Sequence, residues 1–313
     1  MKLGIWLDPP QAMKPETETT AFIMWCASNR GHELFLFDSD GVRGGRGTIR
    51  ANTLAPGFHS TIGKYWEAVN RAVSEPAVTI DVGSLDGLLY RKNPPLDREP
   101  LMELLETGRV PFTFNDFRGL LKCPDKRNIL EFPQLTPLSH LALDQGGLTH
   151  IAAHFTKEVV CKPLDGFGGK GIVKCMVKDI SVLYEKGPFP FLVQEFIPEV
   201  DQGDVRVLLL DGRIIGAMRR VPATGDFRAN VAVGGRVFKH EPTPRERFVC
   251  SSLAEPLRKE GIYFAGLDII GGKLTEINCV SPGGIPRING LDGSSLENEV
   301  LDFLEQKIYH FHL

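Results

Sequence analysis

The 313-residue chain predicts two architectures in series. The first half reads as an α/β unit with a Rossmann-like parallel sheet, and the second as α+β, built from antiparallel hairpins and helices. Three observations carry this. A strand, a helix and a strand follow one another at 2–7, 19–30 and 32–37, the βαβ opening of a parallel sheet. In the second half Asp211-Gly212 and Gly271-Gly272 each sit between two apolar runs, the short-range signature of a hairpin. Finally, 33 of the 313 residues are glycine, above a usual share of about 7%; with no three-residue period, they belong in turns or where backbone approaches a ligand.

The elements follow in order. Lys2–Leu7 is apolar enough for a buried strand. Thr19–Arg30 has helical apolar spacing and stops before Gly31. The link between the first strand and helix lacks a GxGxxG fingerprint, so dinucleotide binding is not expected there. Gly41–Gly47 is glycine-rich and basic, but no Gly-Lys-Ser/Thr closes it as a phosphate loop; a hairpin or loop leading into 48–54 is expected. Leu85–Tyr90 is a strand ending at Arg91-Lys92-Asn93-Pro94-Pro95, and charge past a strand's carboxyl end is where open α/β sheets bind ligands. Residues 99–107 are expected as helix, 110–114 as strand, and 124–132 as a short helix carrying Lys126. A second unit starts near Gln134: helix around 150–155, strands at 158–162 and 171–177 across a glycine loop, a strand at 191–196, and hairpins 205–210/213–219 and 263–270/273–278. Thr243-Pro244-Arg245-Glu246 is a capping box opening a helix to about Lys259, and Ser294 with Glu297 is expected to cap the last helix.

Composition excludes several classes. Charged residues are 24% and the formal net charge is −3, so no global field favours nucleic acid or an anionic membrane. No run approaches the ~18 apolar residues of a membrane span, and the first residues read as a strand rather than a signal peptide. The six cysteines form no CxxC pair and no zinc-like spacing, and are expected as buried, reduced thiols in a cytoplasmic protein.

Two segments carry chemistry. In Lys162-Pro163-Leu164-Asp165-Gly166-Phe167-Gly168-Gly169-Lys170-Gly171 a strand delivers a lysine, then a glycine loop follows. Glycine lets backbone N–H groups come close to phosphates, and lysine adds charge. A plain hairpin would explain one or two glycines, not four flanked by lysines. In Gly266–Asn278, a hairpin, Asp268 can face the same side as Glu276 and Asn278, because side chains repeat every two residues. Two carboxylates and an amide oxygen make a hard oxygen cluster suited to Mg²⁺ with nucleotide phosphates. Weaker by themselves are the proline-terminated strand 191–198, which alone reads as only an edge strand, and the basic stretch from Arg219-Arg220 through Arg228-Ala229-Asn230 to Gly234-Gly235-Arg236, which alone reads at least as well as a solvated loop.

Taken in order, these segments, with Arg91–Asp97 and Gly203-Asp204-Val205-Arg206-Val207-Leu208, resemble the ATP-grasp superfamily, specifically the bacterial glutathione synthetase family, over nearly the whole chain. The resemblance implies an N-terminal pre-ATP-grasp substrate domain at 1–122 and an ATP-grasp domain of two α+β subdomains at 123–313, with a lid at about 134–197. It implies ATP phosphates on Lys126, Lys162 and the loop of Gly166, Gly168 and Gly169. Adenine would lie along Gln194, Glu195, Phe196 and Ile197, with Asp204 and Asn230 also lining the nucleotide site. Asp268, Glu276 and Asn278 would hold Mg²⁺, or alternatively Mn²⁺. Lys162, Arg206 and Arg228 would be catalytic, stabilising reacting phosphates and acyl intermediate, while Arg91, Lys92 and Ser281 would bind substrate. The implied reaction is ATP-dependent joining of a carboxylate to an amine through an acyl phosphate, most simply γ-glutamylcysteine to glycine. The alternative is the same chemistry with another amino-acid or peptide acceptor, and a catalytically silent nucleotide-binding module is a third reading. The implied partners are small molecules, with homo-oligomers common among relatives. One segment departs. After Asn278 the family usually carries Thr-Ser-Pro-Thr and then Ile-Arg-Glu; this chain has Gly283 and Gly284 in place of larger residues, and Pro286-Arg287 in place of Arg-Glu. That segment borders the peptide-substrate pocket in the family, so the charge a substrate can carry is expected to differ.

Overall fold

The computed structural model describes residues 1–44, 46–123, 126–164, 166, 168–180 and 189–311. Pro124, where a short helix was expected to begin, and Asp165 and Phe167 of the glycine loop lie outside these residues.

The first sheet has the order β4-β3-β2-β1-β5-β6. Its centre is parallel: β1 (Lys2–Trp6) lies between β2 (Glu33–Phe37) and β5 (Gly87–Tyr90), and β5 pairs with β6 (Phe112–Phe114). The other edge is antiparallel: β3 (Thr48–Leu54) runs against β2, in keeping with the hairpin or loop expected at 41–47, and β4 (Val78–Asp81) runs against β3. For β3 the physical reason is the short 38–47 connection. It turns through α2 (Ser39–Val42), started by the Asp38 carboxylate accepting from the Gly41 N–H, and is too short for the crossover that a parallel neighbour needs. Helices α1 (Thr19–Asn29), α3 (Ile62–Ser74), α4 (Arg98–Glu106) and α5 (Phe117–Lys122) cover this sheet.

Two antiparallel sheets follow. The smaller has the order β7-β10-β8-β9, from β7 (Ser139–Ala142), β8 (Glu158–Pro163), β9 (Val173–Met176) and β10 (Phe191–Glu195), with α6 (Gln145–Ala152) packed on it. The larger has the order β13-β12-β11-β14-β15, from β11 (Asp204–Leu210), β12 (Arg213–Val221), β13 (Arg236–Lys239), β14 (Phe264–Ile270) and β15 (Lys273–Asn278). Both hairpins expected at Asp211-Gly212 and Gly271-Gly272 form. The expected Thr243–Glu246 capping box forms too, starting α7 (Pro244–Lys259). The last helix starts differently. The Ser294 hydroxyl donates to Asn289 Oδ1, and Glu297 accepts from Asn289 Nδ2 at 2.6 Å, so Asn289 on α8 (Ile285–Asp292) bridges the two residues expected to cap α9 (Leu296–Phe311).

Core composition shows which elements share an interior. Alternation along β11 sends Val205, Val207 and Leu209 to one apolar cluster with α7, and Leu208 and Leu210 to another with α1, α8 and α9. Both clusters also contain first-sheet residues, such as Leu88 in one and Leu89 in the other. The first and large sheets therefore share one interior, and α9 packs on α1 despite its distance in sequence. One face of the small sheet has its own core of Leu148, Ile151, Val159, Cys161, Phe191 and Val193, while Leu192 on β10 belongs to the cluster of the large sheet.

Candidate active site

The site is built where the small sheet faces the large one. Register does most of the placing. Arg206 on β11 lies opposite Asp268 on β14, and Asp268 lies opposite Glu276 on β15. Directly opposed residues share a face, so a cation, an acid and a second acid stand in one row across three strands. Gly266 lies opposite Asn278, one step along the same face. The three oxygen-bearing side chains expected to cluster are thus brought together.

A second acid and cation sit beside that row. Asp204 lies opposite Arg220, and Arg220 donates to both Asp204 oxygens at 2.6 and 2.7 Å and reaches Asp268 Oδ1 at 2.8 Å. Arg206 grips Asp268 at 2.5 and 3.0 Å and donates to the Gly283 carbonyl at 3.0 Å. All four are buried. Burial alone would raise the Asp268 carboxyl, but Arg206 and Arg220 outweigh it and hold it well below the usual range. Asp204 goes the other way, with burial raising it beyond what Arg220 takes off. Arg220 is itself raised, its two carboxylate partners outweighing burial. Sequence reading placed Arg220 only in a basic stretch. Its signal was the β11–β12 hairpin register, which pairs it with Asp204.

Two cavities open around this network. The first, about 620 Å³, is lined on its apolar side by Val160, Ile172, Val200, Phe227 and Ile270, none anticipated, and along its edge by Gln194, Glu195, Phe196 and Ile197. Asp204, Asn230 and Lys162 also border it. The Gln194 amide donates to the Ser139 hydroxyl at 3.0 Å, which fixes this buried side chain against β7. A flat apolar slot edged by strand backbone suits a planar heterocycle.

The second cavity, about 1070 Å³, continues inward past Asp268, Glu276 and Asn278 to Lys126, Gly166, Gly168, Gly169, Gly283 and Arg287. Lys162, on the wall of the first cavity, is buried, its ammonium donating to the Thr275 carbonyl at 3.3 Å. Burial pulls it below the ordinary lysine value, against the pull of Glu276 and Asp268. Lys126 donates to the carbonyls of Leu164 and Gly166, at the root of the glycine loop. The glycines there are needed. Gly168 and Gly169 have φ of +63° and +82°, and a Cβ on Gly169 would lie 2.8 Å from Asn230 Oδ1. The two glycine-bearing loops therefore touch at Gly169 and Asn230.

The donor chemistry fits a divalent cation. The Glu276 carboxylate faces the cavity with no hydrogen bond or ion pair among the described residues, and Asn278 donates its amide N–H to Gly266 at 3.0 Å, leaving its oxygen for a cation. Hard oxygens of this kind suit Mg²⁺. Among the described residues no three His, Cys, Asp or Glu side chains cluster for a metal; the set here is two acids and an amide.

Four sequence-named residues stand elsewhere. Arg228 pairs with Asp226 at 2.7 Å and donates to the Gly169 carbonyl at 3.3 Å, so it ties the two loops at the mouth of the first cavity rather than reaching the Asp268 row. Arg91 is buried, donating to Thr20 Oγ1 and the Pro282 carbonyl, while Ser281 donates to the Arg91 carbonyl. Burial pulls the Arg91 guanidinium down to about 10 despite Glu18. Lys92 pairs with Asp97 at 2.7 Å. Arg91 and Ser281 hold the β5 end against the 281–284 turn, and it is Asn93 and Pro94, past Lys92, that line the inner cavity.

Family models match both halves: the prokaryotic glutathione synthetase N-terminal domain over residues 1–119, and its ATP-grasp domain over residues 125–293. The glutathione synthetase of Rhodopseudomonas palustris is 32% identical over 316 residues, covering 98% of this chain and 99% of the relative. That of Synechocystis sp. is 33% identical over 325 residues, covering 98% and 100%. Among solved structures, the D-cycloserine synthetase DcsG superposes with a TM-score of 0.66 at 12% identity, covering 99% of this chain and 100% of the other, a likeness of fold. With both halves matched and the hairpin acids and glycine loop gathered at one cleft, the chain belongs to the prokaryotic glutathione synthetase family of the ATP-grasp superfamily.

Proposed function

We propose that the chain is an ATP- and Mg²⁺-dependent ligase that joins the cysteinyl carboxylate of γ-glutamylcysteine to the amine of glycine. The observation that carries this is the row Arg206–Asp268–Glu276, set between an apolar slot and an inner polar cavity. Together with the family membership, it supports ATP with its base in the slot and its γ-phosphate toward Lys126, Lys162 and the Gly166–Gly169 loop.

A substrate carboxylate is already nucleophilic, so no Ser/His/Asp triad is required. Its oxygen attacks the γ-phosphorus and ADP leaves, giving an acyl phosphate. The amine then attacks the carbonyl carbon, phosphate departs with that carboxylate oxygen, and the amine gives up a proton. Arg206 and Arg220 neutralise charge near the transferring group, and preorganised cations in a site closed to water are effective at this. Asp268, Glu276 and Asn278 would hold Mg²⁺, which supplies charge neutralisation on the phosphate oxygens. The small sheet covers the nucleotide with the 228–236 loop and protects the acyl phosphate from water.

The chain is proposed to act in the cytoplasm as a homo-oligomer on small molecules. The six thiols stand as free cysteines, and no helix of the described residues is long and apolar enough to cross a membrane. A second reading, the same ligation with a different amine, is favoured by Gly283, Gly284 and Arg287, where the family pattern breaks. Phosphate release decides between them. The first reading requires both γ-glutamylcysteine and glycine for release; release that needs another amine establishes the second.

A further inference from the structure

Every arginine of the inner cavity but one is matched to an acid. Arg206 and Arg220 share Asp204 and Asp268. Arg287, on the first turn of α8, lines the same cavity half-buried, and among the described residues its guanidinium has neither hydrogen bond nor ion pair. Burial and the two neighbouring arginines work against its charge, and only Glu18 supports it. A half-buried charge without a partner is costly, so its persistence calls for an anion that arrives from outside.

Glu18 is the complementary case. It precedes α1, is half-buried, caps nothing with its side chain, and pairs with no cation among the described residues. Burial raises its carboxyl despite Arg91 and Arg287. The next residue fixes its place: Thr19 Oγ1 accepts from the Gly284 and Ile285 N–H groups at 3.0 and 3.2 Å. Glu18 and Arg287 are therefore brought to one corner by two tied elements, where each acts on the other's charge without forming an ion pair. Gly283 adds room, since a Cβ there would have its nearest neighbour at 4.0 Å.

We propose that Arg287 and Glu18 bind the free α-carboxylate and α-ammonium of an amino-acid-headed substrate whose distal carboxylate is the one activated. A zwitterionic head supplies one ion to each of two charges that do not pair with each other. This rests on the ligase reading and deepens it, because γ-glutamylcysteine carries such a head. Arg287 stands where relatives carry the Arg-Glu pair, so this chain reads that head with its own residue.

The test uses the whole enzyme with ATP, glycine and three donors: γ-glutamylcysteine, 4-aminobutyrylcysteine lacking the α-carboxylate, and glutarylcysteine lacking the α-amine. Losing a charge-assisted bond predicts that Arg287→Gln raises KM for γ-glutamylcysteine about tenfold or more, holds KM for ATP, and leaves KM for 4-aminobutyrylcysteine unchanged. Glu18→Gln does the same with respect to glutarylcysteine, and Arg287→Lys keeps part of the preference. The melting temperature of Arg287→Gln stays at or above the parent's, because an unpaired cation supports no fold contact. An equal rise for γ-glutamylcysteine and 4-aminobutyrylcysteine overturns the proposal. If the parent protein releases no phosphate with γ-glutamylcysteine and glycine, the glutathione reading fails separately. The inference is then judged on amino-acid-headed donors against matched plain carboxylates. A preference erased by Arg287→Gln upholds it, and a best donor lacking the head overturns it.

Discussion

The Arg206 guanidinium holds the Asp268 carboxylate through two bonds, 2.5 Å from Nε and 3.0 Å from Nη2, at the point where three strands bring their polar faces together. The pair is buried, and Arg220 completes it from the neighbouring strand. Site and fold are coupled here, because the charges proposed to serve the nucleotide also neutralise one another in the interior.

Arg220→Met should therefore destabilise strongly. It leaves Asp204 and Asp268 short of a buried partner, and breaking such a pair costs about 3–5 kcal/mol. Urea unfolding measures this. The double variant Asp204→Leu/Arg220→Met should recover part of the loss, since no uncompensated Asp204 charge remains. A single-variant cost under about 0.5 kcal/mol, the range of an ordinary surface change, would contradict the network's role.

Glu276→Ala should separate fold from function. The carboxylate makes no hydrogen bond or ion pair among the described residues, so unfolding should shift by no more than about 0.5 kcal/mol. Ligase turnover should collapse, and calorimetry should show weakened Mg²⁺ binding in the presence of ADP. Chelating divalent ions should stop the parent enzyme in the same way. Unchanged turnover in Glu276→Ala would remove the metal assignment.

Gly169→Ala tests the loop contact. The residue sits at φ +82°, and its new Cβ would meet Asn230 Oδ1 at 2.8 Å. A left-handed conformation costs a non-glycine residue about 1–2 kcal/mol, which corresponds to roughly 5- to 30-fold in KM for ATP if the loop must hold this shape to close. Phosphate release should also exceed product formation, because a poorly closed site admits water. Unaltered KM and coupling would mean that the loop closes in another shape.

Glu18→Gln carries a pH signature. Burial raises the folded carboxyl above 4.5, so the folded protein binds this proton more tightly than the unfolded chain. The resulting cost is absent at low pH and fully present once pH has passed the raised folded value. The variant should melt higher than the parent at pH 7, with the gap closing by about pH 4, near the unfolded carboxyl's own range. A gap independent of pH would mean that charge burial is not its source.

Much of this site was legible because its parts are local. The Asp268, Glu276 and Asn278 cluster follows from a hairpin with Gly271-Gly272 at its tip, and Lys162 with its glycine loop is one continuous segment. Arg220 was not legible as a site residue, since its partner Asp204 is recognised only once the register of β11 and β12 is known. The apolar slot was invisible for a related reason: Val160, Ile172, Val200, Phe227 and Ile270 come from five separate stretches, and each alone looks like ordinary core. Arg91, Lys92 and Ser281 lie next to the cavity as their motif suggests. Which of their atoms turn toward it depends on how the 281–284 turn docks against β5, a tertiary fact. The antiparallel β2–β3 pair follows from a connection too short to cross over, in keeping with the hairpin or loop expected at Gly41–Gly47.

The central claim, ligation through an acyl phosphate, is tested most directly by oxygen transfer. With γ-glutamylcysteine labelled with ¹⁸O in its cysteinyl carboxylate, ATP, Mg²⁺ and glycine, each phosphate released should carry one labelled oxygen, with one glutathione formed per phosphate. Unlabelled phosphate, released at the same rate whether or not glycine is present, would contradict it.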